Sequence, residues 1–517
     1  MEKRDTSSVR PERSWLASVF DMLFESKWML IFILLIPAFC FAQGFKDLEE
    51  NVIEYNLSDG LKLIIMERHE APVVSFCTYA NVGGVNETKG ITGISHLFEH
   101  MAFKGTKTIG TKDYQAEIKV MRKEDSLFND VLKERQKGNR ADPEKLRNLE
   151  EKFAKAQDEA REYVESNEFG TVVQEEGGVG LNAGTNYDAT LYFYNLPSNK
   201  LELWMSLESD RFLNPVLREF YKEKDVVMEE RRLRVESSPY GKLFEEFLAT
   251  AFKAHPYGEP LVGHMSDIQS LTRQDAEEYF KQHYSPNNLV IGIVGDVKPQ
   301  EIIKLAETYF GRIPRGLEPK PVVTVEPEQL GQRKVEVEDK AQPVVAIGYH
   351  IPSATHPDKA IFDALSDYLS GGRSSRLHKS LVKEKKIAIA AFGGPGLPGE
   401  KYPNLFMFMA VPSKDHTNQE CEDAIYEEIE KLKTELIRPE DLKAIKTRIK
   451  ADFIRQLESN QGLAMRLSFY QAVRGDWKEL FRQLDKINQV TAEDIKRASN
   501  EYFQRKNRTV AELVTIK

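Results

Sequence analysis

The sequence predicts an α+β fold of two homologous domains, each a mostly antiparallel sheet with helices covering one face. Two observations predict it. Short strand patterns and helical patterns are mixed along the chain, which is typical of α+β proteins, and the order of these elements is repeated. The 517 residues are 41% hydrophobic, which is enough to fill the cores of two domains.

Two pairs of segments carry the repeat. Ala71-Pro-Val-Val-Ser-Phe resembles Gln342-Pro-Val-Val-Ala-Ile, and both are β-rich. Leu271-Thr-Arg-Gln-Asp-Ala resembles Val490-Thr-Ala-Glu-Asp-Ile. The second pair predicts helices that begin at a Thr cap with an acidic residue in the first turn. A β-branched strand follows each helix, so we expect a duplicated unit.

Composition sets the expected boundaries. Residues 315–332 are rich in Pro, Glu and Gly and are the predicted linker between a catalytic domain at 48–314 and a second domain at 333–517. Residues 114–166 are strongly charged and helical in period, and they predict a helical hairpin inserted into the first domain. Because charged helices usually face water, we expect this hairpin to be solvated and to have no direct chemical role.

The remaining elements follow from periodicity. A β-hairpin is expected at Asn56–Met66 around Ser58-Asp59-Gly60, followed by a strand at Val73–Tyr79. The predicted helices are Lys200–Phe212, Gln300–Phe310 and Cys421–Leu436.

The N-terminus predicts export. Trp28–Ala42 is an apolar run that is short for a membrane span, and it ends in small residues before Gln43, as in a secretory signal peptide. Residues 1–42 are therefore a signal peptide or a retained N-terminal anchor, and the chain is expected in the periplasm or outside the cell. Only Cys77 and Cys421 remain after cleavage, which is no disulfide framework.

The charge excludes one class of partner. The formal net charge is −9 and the pI is about 5.8, and no basic cluster of the kind that binds nucleic acid is present in the sequence. We therefore expect no nucleic-acid partner.

His96-Leu97-Phe98-Glu99-His100 predicts a metal site. Histidines at i and i+4 share one helix face, and Glu99 lies beside them. Two imidazoles can hold Zn²⁺, which lowers the pKa of a bound water so that a nearby carboxylate can take its proton. Gly93 and Ser95 are expected to provide a flexible entry and a capping side chain for this helix.

A catalytic zinc generally has three protein ligands, and a helix at 223–232 is the best source of the third. Glu223 and Glu230 are seven residues apart on one face, whereas Glu229 is rotated by about 100°. We expect Glu230 as the ligand and Glu223 as a carboxylate that orients a histidine. The alternative is that these are solvated helix charges paired with Arg231 and Arg232.

Four blocks in order resemble the pitrilysin/insulinase family of zinc peptidases. The blocks are His96–Thr106, Leu181–Thr190, Glu223–Glu230 and His255–Gly258. The resemblance extends over nearly the whole chain after residue 42. It implies a half of a clamshell whose four related domains close over a chamber, so that a second chain is expected.

The resemblance also implies roles for single residues. It implies one Zn²⁺ per chain, held by His96, His100 and Glu230, with Glu99 as the general base and Glu223 as the supporting carboxylate. The inserted hairpin lengthens the spacing between His100 and Glu230 beyond the usual family pattern. Because it falls in a connection, we expect the site to be undisturbed.

Substrate binding is implied at three positions. Asn182 and Ala183 resemble an edge strand that pairs with an extended peptide, and Arg376 matches an arginine that helps to bind substrate. The tyrosine expected with that arginine is replaced by Ile389. We therefore expect a heterodimer in which a second family chain carries the Arg/Tyr pair, with a homodimer as the alternative.

The predicted function is a zinc metalloendopeptidase that hydrolyses peptides or unfolded polypeptides. The alternatives are a non-catalytic assembly or binding subunit and a zinc hydrolase with a non-peptide substrate. His255 is expected in a structural turn, and His264 and His283 are expected to be packed or surface residues.

Overall fold

The computed structural model describes residues 48–516 of the chain, which contain two sheets joined by an extended segment. The predicted signal peptide or anchor at residues 1–42 lies outside the described residues. Contacts separate the chain into Met1–Val52 and Ile53–Lys517. The second of these units contains the metal motif and nearly all of both sheets.

Eleven strands are described in the two sheets. They are β1 (Val52–Asn56), β2 (Lys62–Glu67), β3 (Val73–Ala80), β4 (Val179–Thr185), β5 (Thr190–Pro197), β6 (Leu289–Gly295), β7 (Arg333–Asp339), β8 (Val344–Ile351), β9 (Ala388–Leu397), β10 (Asn404–Pro412) and β11 (Arg508–Thr515). The first sheet has the order β1-β2-β6-β3-β5-β4, and the second has the order β7-β11-β8-β10-β9.

Sixteen helices are described. They are α1 (Ile94–Met101), α2 (Tyr114–Arg135), α3 (Pro143–Arg161), α4 (Glu168–Glu175), α5 (Leu201–Leu213), α6 (Phe220–Arg231), α7 (Pro239–Ala251), α8 (Met265–Ser270), α9 (Arg273–His283), α10 (Pro299–Tyr309), α11 (Lys359–Ser370), α12 (Asn418–Thr434), α13 (Pro439–Glu458), α14 (Asn460–Arg474), α15 (Glu479–Gln489) and α16 (Ala492–Tyr502). The predicted helices at 200–212, 300–310 and 421–436 correspond to α5, α10 and α12 within a few residues. No described helix has both the length and the apolar character that a membrane crossing requires.

The two sheets repeat one another. In the first, β2 pairs with β6 in parallel while β6, β3, β5 and β4 are antiparallel neighbours. In the second, β7 pairs with β11 in parallel and β11, β8, β10 and β9 are antiparallel neighbours. The helices before β6 and β11 both begin at capping boxes, Thr272 with Asp275 and Thr491 with Asp494. The predicted α+β fold of two related sheets is confirmed.

A feature that was not expected is the exchange of one helix between the halves. Helix α14 of the second half packs across β3 and β6 of the first sheet, and α7 of the first half packs across β7 and β11 of the second. Glycines permit both approaches: a Cβ at Gly292 in β6 would lie 2.4 Å from the Ala464 carbonyl oxygen, and one at Gly348 in β8 would lie 2.6 Å from the Phe247 ring. Each sheet is thus covered by helices of its own half and by one helix of the other.

The segment from residue 114 to residue 166 contains an antiparallel pair of helices, α2 and α3, with a turn between them. The ends of the pair lie close together, because Thr111 and Val164 form an isolated antiparallel bridge. One side of α2 is buried, including Met121, Phe128 and Val131. The expectation of a wholly solvated hairpin is therefore wrong for this side, which packs on the first half.

Candidate metal centre

Helix α1 carries the His-x-x-Glu-His motif and is fixed at its N-terminus. Gly93 begins the helix with a φ of +87°, and a Cβ there would lie 2.4 Å from the Val262 carbonyl oxygen. The buried carboxylate of Glu87 accepts hydrogen bonds from the backbone N–H groups of Gly93 at 2.7 Å and Ser95 at 2.8 Å. Glu87 therefore acts as the acceptor for the free N–H groups at the helix start, and burial raises its pKa to about 8.

The predicted capping role of Ser95 is wrong. Ser95 lies inside α1 rather than before it, and its hydroxyl is buried 2.7 Å from the Tyr279 hydroxyl. A side-chain cap must come from the residue that precedes the first helical turn, and here that residue is a glycine. Glu87 provides the capping acceptor instead. It lies well before the helix in the chain, so the spacing rules for helix caps could not identify it.

Helix α6 carries the two carboxylates that were expected at the site. Its residues Phe220, Tyr221 and Val227 are buried and pack it into the first half, beside α1. At its C-terminal end Arg231 makes two hydrogen bonds with the Glu245 carboxylate, at 3.0 and 2.9 Å. The helix is thereby held at both ends, with Glu223 and Glu230 facing α1.

Three donor groups converge between α1 and α6. His96 Nε2 is 3.5 Å from Glu230 Oε2, and His100 Nε2 is 3.6 Å from the same oxygen. One atom from each of the three side chains lies within 4.8 Å of the others. Zinc bonds of 2.0–2.2 Å in a tetrahedron place neighbouring donors about 3.4 Å apart. The set of two imidazole nitrogens and one carboxylate oxygen therefore fits a Zn²⁺ ion in both chemistry and spacing.

The surroundings of His96 agree with this fit. Burial lowers the pKa of His96, which favours the neutral imidazole that a metal requires. The Nδ1 atom of His96 is buried without a hydrogen-bond partner among the described residues. His100 differs, because a hydrogen bond with Glu223 raises its pKa, and this contact joins His100 Nδ1 to Glu223 Oε2 at 3.4 Å.

Lys104 completes the contacts around Glu223, and sequence reasoning missed it. Its Nζ is 2.6 Å from Glu223 Oε1 and 3.1 Å from Glu219 Oε2. Burial alone would raise the pKa of Glu223, but the hydrogen bonds with His100 and Lys104 outweigh it and lower the pKa to about 2. Lys104 lies beyond the end of α1 at Met101, so helical spacing could not predict this contact.

Two glutamates beside the donors differ in their surroundings. Glu99 is half-buried, and no hydrogen-bond or ion-pair partner is found for its carboxylate within residues 48–516. Glu229, as expected, points elsewhere: it is exposed and pairs with Arg232 at 2.9 Å. Glu230 has a second partner, because Arg234 lies 2.6 Å from its other oxygen, Oε1.

The predicted substrate strand lies at the edge of the first sheet. Asn182 and Ala183 are in β4, paired on one side with Phe193 and Tyr192 of β5, and β4 ends the strand order. Helix α1 packs beside this strand. The Ala183 N–H donates to Asn182 Oδ1 at 2.8 Å. The structure thus brings an unpaired sheet edge next to the helix with the His pair.

Arg376 belongs to the second half and is already paired. Its Nε and Nη2 lie 2.8 and 2.7 Å from Glu428 Oε2, at the wall of a cavity of about 480 Å³. Ile389 is on the edge strand β9 with 57% of its side chain exposed. The structure does not place either residue in the group formed by His96, His100 and Glu230.

The remaining histidines have structural surroundings. His255 Nδ1 accepts the Tyr257 N–H at 3.2 Å and caps a short turn, and His283 is buried against Tyr279, where burial lowers its pKa to about 4. His264 is an exposed partner of Glu259. Within residues 48–516, the cluster that could hold a metal is therefore the one formed by α1 and α6.

Comparison with known families gives two matches. The model described as Insulinase (Peptidase family M16) matches residues 63–126 and 155–264. The model described as Peptidase M16 inactive domain matches residues 270–449. The first match includes both helices of the candidate site and is interrupted within the helical hairpin.

Relatives and solved structures agree with these matches. The chain is 30% identical to the zinc protease PqqE of Helicobacter pylori over 472 residues, 90% of this chain and 92% of that protein. It is 22% identical to an uncharacterized zinc protease of Mycobacterium leprae over 88% of this chain and 90% of the relative. A crystal structure of a Helicobacter pylori protease superposes with a TM-score of 0.75 at 28% identity, covering 89% of this chain and 99% of that one. The periplasmic protease PqqL from Escherichia coli has the same fold, with a TM-score of 0.67 at 17% identity, over 90% of this chain and 48% of that one.

Proposed function

This chain belongs to the insulinase family of peptidases, peptidase family M16, and we propose that it is a zinc-dependent endopeptidase that cleaves peptides or unfolded polypeptides. The observation that carries the proposal is the convergence of His96, His100 and Glu230 at the spacing of a zinc coordination shell. Glu99 next to this group supplies the one further carboxylate that peptide hydrolysis requires.

Bound Zn²⁺ supplies Lewis acidity, which polarises a carbonyl and makes water more acidic. The protein residues do the rest. No described residue hydrogen-bonds or pairs with the Glu99 carboxylate, so it is free to accept a proton from the attacking water and to pass it to the leaving amine. Glu223 accepts from His100 Nδ1 and Lys104 holds Glu223 in place, which fixes the orientation of the imidazole ring.

The free edge of β4 is an argument for a polypeptide substrate. An extended chain adding to that edge beside Asn182 and Ala183 would be held by backbone hydrogen bonds, which do not depend on the side chains of the substrate. Because α1 lies beside β4, such a chain would pass in front of Glu99. Binding at Ala183 requires the Asn182 side chain to release the N–H that it now occupies.

A second family chain is part of the proposal. This chain covers only 48% of PqqL, so one copy supplies two of the four related domains that the family resemblance implies. Arg376 is paired with Glu428, and Ile389 stands where a tyrosine was expected. We propose a heterodimer whose other chain supplies the Arg/Tyr pair; a native complex with one kind of polypeptide would contradict this and favour a homodimer.

Export is proposed as well. Residues 1–42 are the predicted signal peptide or anchor, and their apolar run Trp28–Ala42, which ends in small residues, is the feature that favours export. Sequencing the N-terminus of the protein purified from cell fractions tests this. A first residue near Gln43 indicates cleavage, whereas recovery of Met1 in the membrane fraction indicates an anchor.

The deciding experiment compares zinc content and peptide cleavage in three proteins. Glu99→Gln is expected to keep zinc and to lose cleavage by several orders of magnitude, because the general base is gone while the ligands stay. Glu229→Gln is the matched control and is expected to keep both, since Glu229 is exposed and faces Arg232. Measurable and equal cleavage by zinc-loaded wild type and Glu99→Gln would remove Glu99 from its proposed role. Bound zinc without cleavage in either protein would point to the missing second chain, and a wild-type chain without zinc would refute the function.

A further inference from the structure

The helical hairpin formed by α2 and α3 goes beyond the family pattern. The insulinase match stops at residue 126 and resumes at residue 155, so the outer part of the hairpin lies outside the family model. That part contains Phe128 and Phe153. Both aromatic rings lie against one residue of α6, the helix that carries Glu223 and Glu230.

The aromatic contact is centred on Tyr221. Its ring centroid is 4.4 Å from that of Phe128 and 5.2 Å from that of Phe153. Beside it the buried ammonium of Lys224 lies 3.7 Å from the centre of the Phe128 ring and donates to the carbonyl oxygen of Leu271 at 3.1 Å. The hairpin therefore presents an aromatic surface to the first turns of α6.

Polar contacts fix the orientation of this packing. The Tyr221 hydroxyl donates to Asp125 Oδ1 at 2.8 Å. Arg273 donates to the same oxygen at 2.8 Å and to Glu124 Oε2 at 2.5 Å, and it also donates to the Leu217 carbonyl oxygen, just before α6. Because these bonds are directional and mostly buried, they define the position of α6 more closely than apolar packing alone.

A second link joins the hairpin to the end of α1. Arg218 is 1% exposed and pairs with Glu117 of α2 at 2.8 Å. The same guanidinium donates to the backbone carbonyl oxygens of Lys104, Thr106 and Ile109, in the loop after α1. Arg218, which lies just before α6, thus connects the start of that helix to the hairpin and to the loop after α1.

We propose that the hairpin is a positioning brace that holds α6 in register with α1, so that Glu230 meets the two histidines; this role rests on the proposed zinc function. Glu230 is nine residues along the helix from Tyr221, about 13 Å. A small tilt of α6 at its start is therefore amplified at the ligand. Removing a group that directly contacts a metal ligand costs about 10- to 100-fold in metal affinity, whereas the hairpin acts on Glu230 only through α6.

The test measures zinc affinity by competition with a chelator in Asp125→Ala, in Tyr221→Phe and in the double variant. Asp125→Ala is expected to weaken zinc binding measurably but by less than about tenfold, because Asp125 acts on Glu230 through α6 and not by direct contact. Tyr221→Phe removes only the hydroxyl and is expected to weaken it less. Because both changes remove the same hydrogen bond, the double variant is expected to lose zinc affinity by less than the product of the two single losses.

The matched control is Glu159→Gln. Glu159 pairs with Lys123 at 2.6 Å between α2 and α3, and both are exposed, so this change loosens the hairpin surface without touching α6. Visible absorption of the Co²⁺-loaded proteins reports ligand geometry, and it is expected to change in Asp125→Ala and to stay the same in Glu159→Gln. Unfolding of the metal-free proteins shows that each variant is folded at the assay temperature.

The outcomes separate the two proposals. The brace would be overturned if wild type binds zinc and Asp125→Ala and Tyr221→Phe bind it equally tightly with the same Co²⁺ spectrum. The peptidase proposal would then still stand. A wild-type chain that binds no zinc would overturn the proposed function and the brace with it. Weaker binding in Asp125→Ala with unchanged binding in Glu159→Gln would support the brace.

Discussion

The contact between Gly292 and helix α14 gives a quantitative prediction for Gly292→Ala. The added Cβ would lie 2.4 Å from the Ala464 carbonyl oxygen and 2.5 Å from the Ser468 hydroxyl oxygen. The nearest atom belongs to the backbone of α14, so the clash cannot be relieved by rotating a side chain. Helix α14 must move away from the first sheet by about 1 Å to restore an ordinary contact.

The expected cost follows from the tight packing on both sides. Inserting a methyl group into a well-packed core costs about 1–3 kcal/mol, and we expect about 2 kcal/mol because the helix backbone itself must shift. The entropy of unfolding is about 2 cal/mol/K per residue, so this change lowers the Tm of so long a chain by only about 2 °C. Urea unfolding is therefore the better assay.

Gly184→Ala is the control, because Gly184 also lies in a strand and a Cβ there meets nothing within 4 Å. It is expected to leave the urea midpoint unchanged or to raise it slightly. Adding Ser468→Ala to Gly292→Ala is expected to restore little, since the Ala464 oxygen remains. Equal midpoints for Gly292→Ala and Gly184→Ala would refute the idea that α14 is seated directly on β6.

Three further predictions concern the surroundings of the site. Arg218→Met is expected to lower the free energy of unfolding by about 3–5 kcal/mol, because it leaves Glu117 buried and unpaired. Glu117→Gln should lower it less, because Arg218 keeps three carbonyl acceptors. Equal urea midpoints for the two variants would contradict this. Burial raises the pKa of Glu87 from 4.5 to about 8, so the native state binds this proton more tightly than the unfolded state. Between those pH values wild-type stability should therefore fall with rising pH, and urea unfolding of Glu87→Gln should show a smaller fall. Glu230→Ala is expected to lose most of its zinc on dialysis, measured by elemental analysis, whereas Glu229→Ala should keep it.

The sequence predicted the two helices of the candidate site because the information for each is local. Histidines at i and i+4 and carboxylates seven residues apart define helix faces without knowledge of the rest of the fold. The acceptor at the start of α1 could not be predicted in this way. Glu87 lies outside the helix and reaches Gly93 and Ser95 only through the folded loop.

The hairpin shows a different limit of sequence reasoning. Glu117 and Glu124 looked like part of a solvated charged face, but both are buried as partners of Arg218 and Arg273. Charged residues are almost never fully buried unless they are paired, and the sequence does not show which residue the partner is. In the same way, the sequence of a helix does not say which sheet it will cover, and α7 and α14 each pack on the sheet of the other half.

The exchange of α7 and α14 describes how a protein with this fold could have begun. The two helices occupy the same place in the order of their halves, so a single ancestral half would have left one sheet face bare and one helix without a sheet. Two copies of that half, each lending its helix to the other, would have solved both problems as a symmetric pair. Joining them through a segment such as residues 315–332 replaces an association that depends on concentration by one that is permanent, while each half still completes its core with a helix of the other.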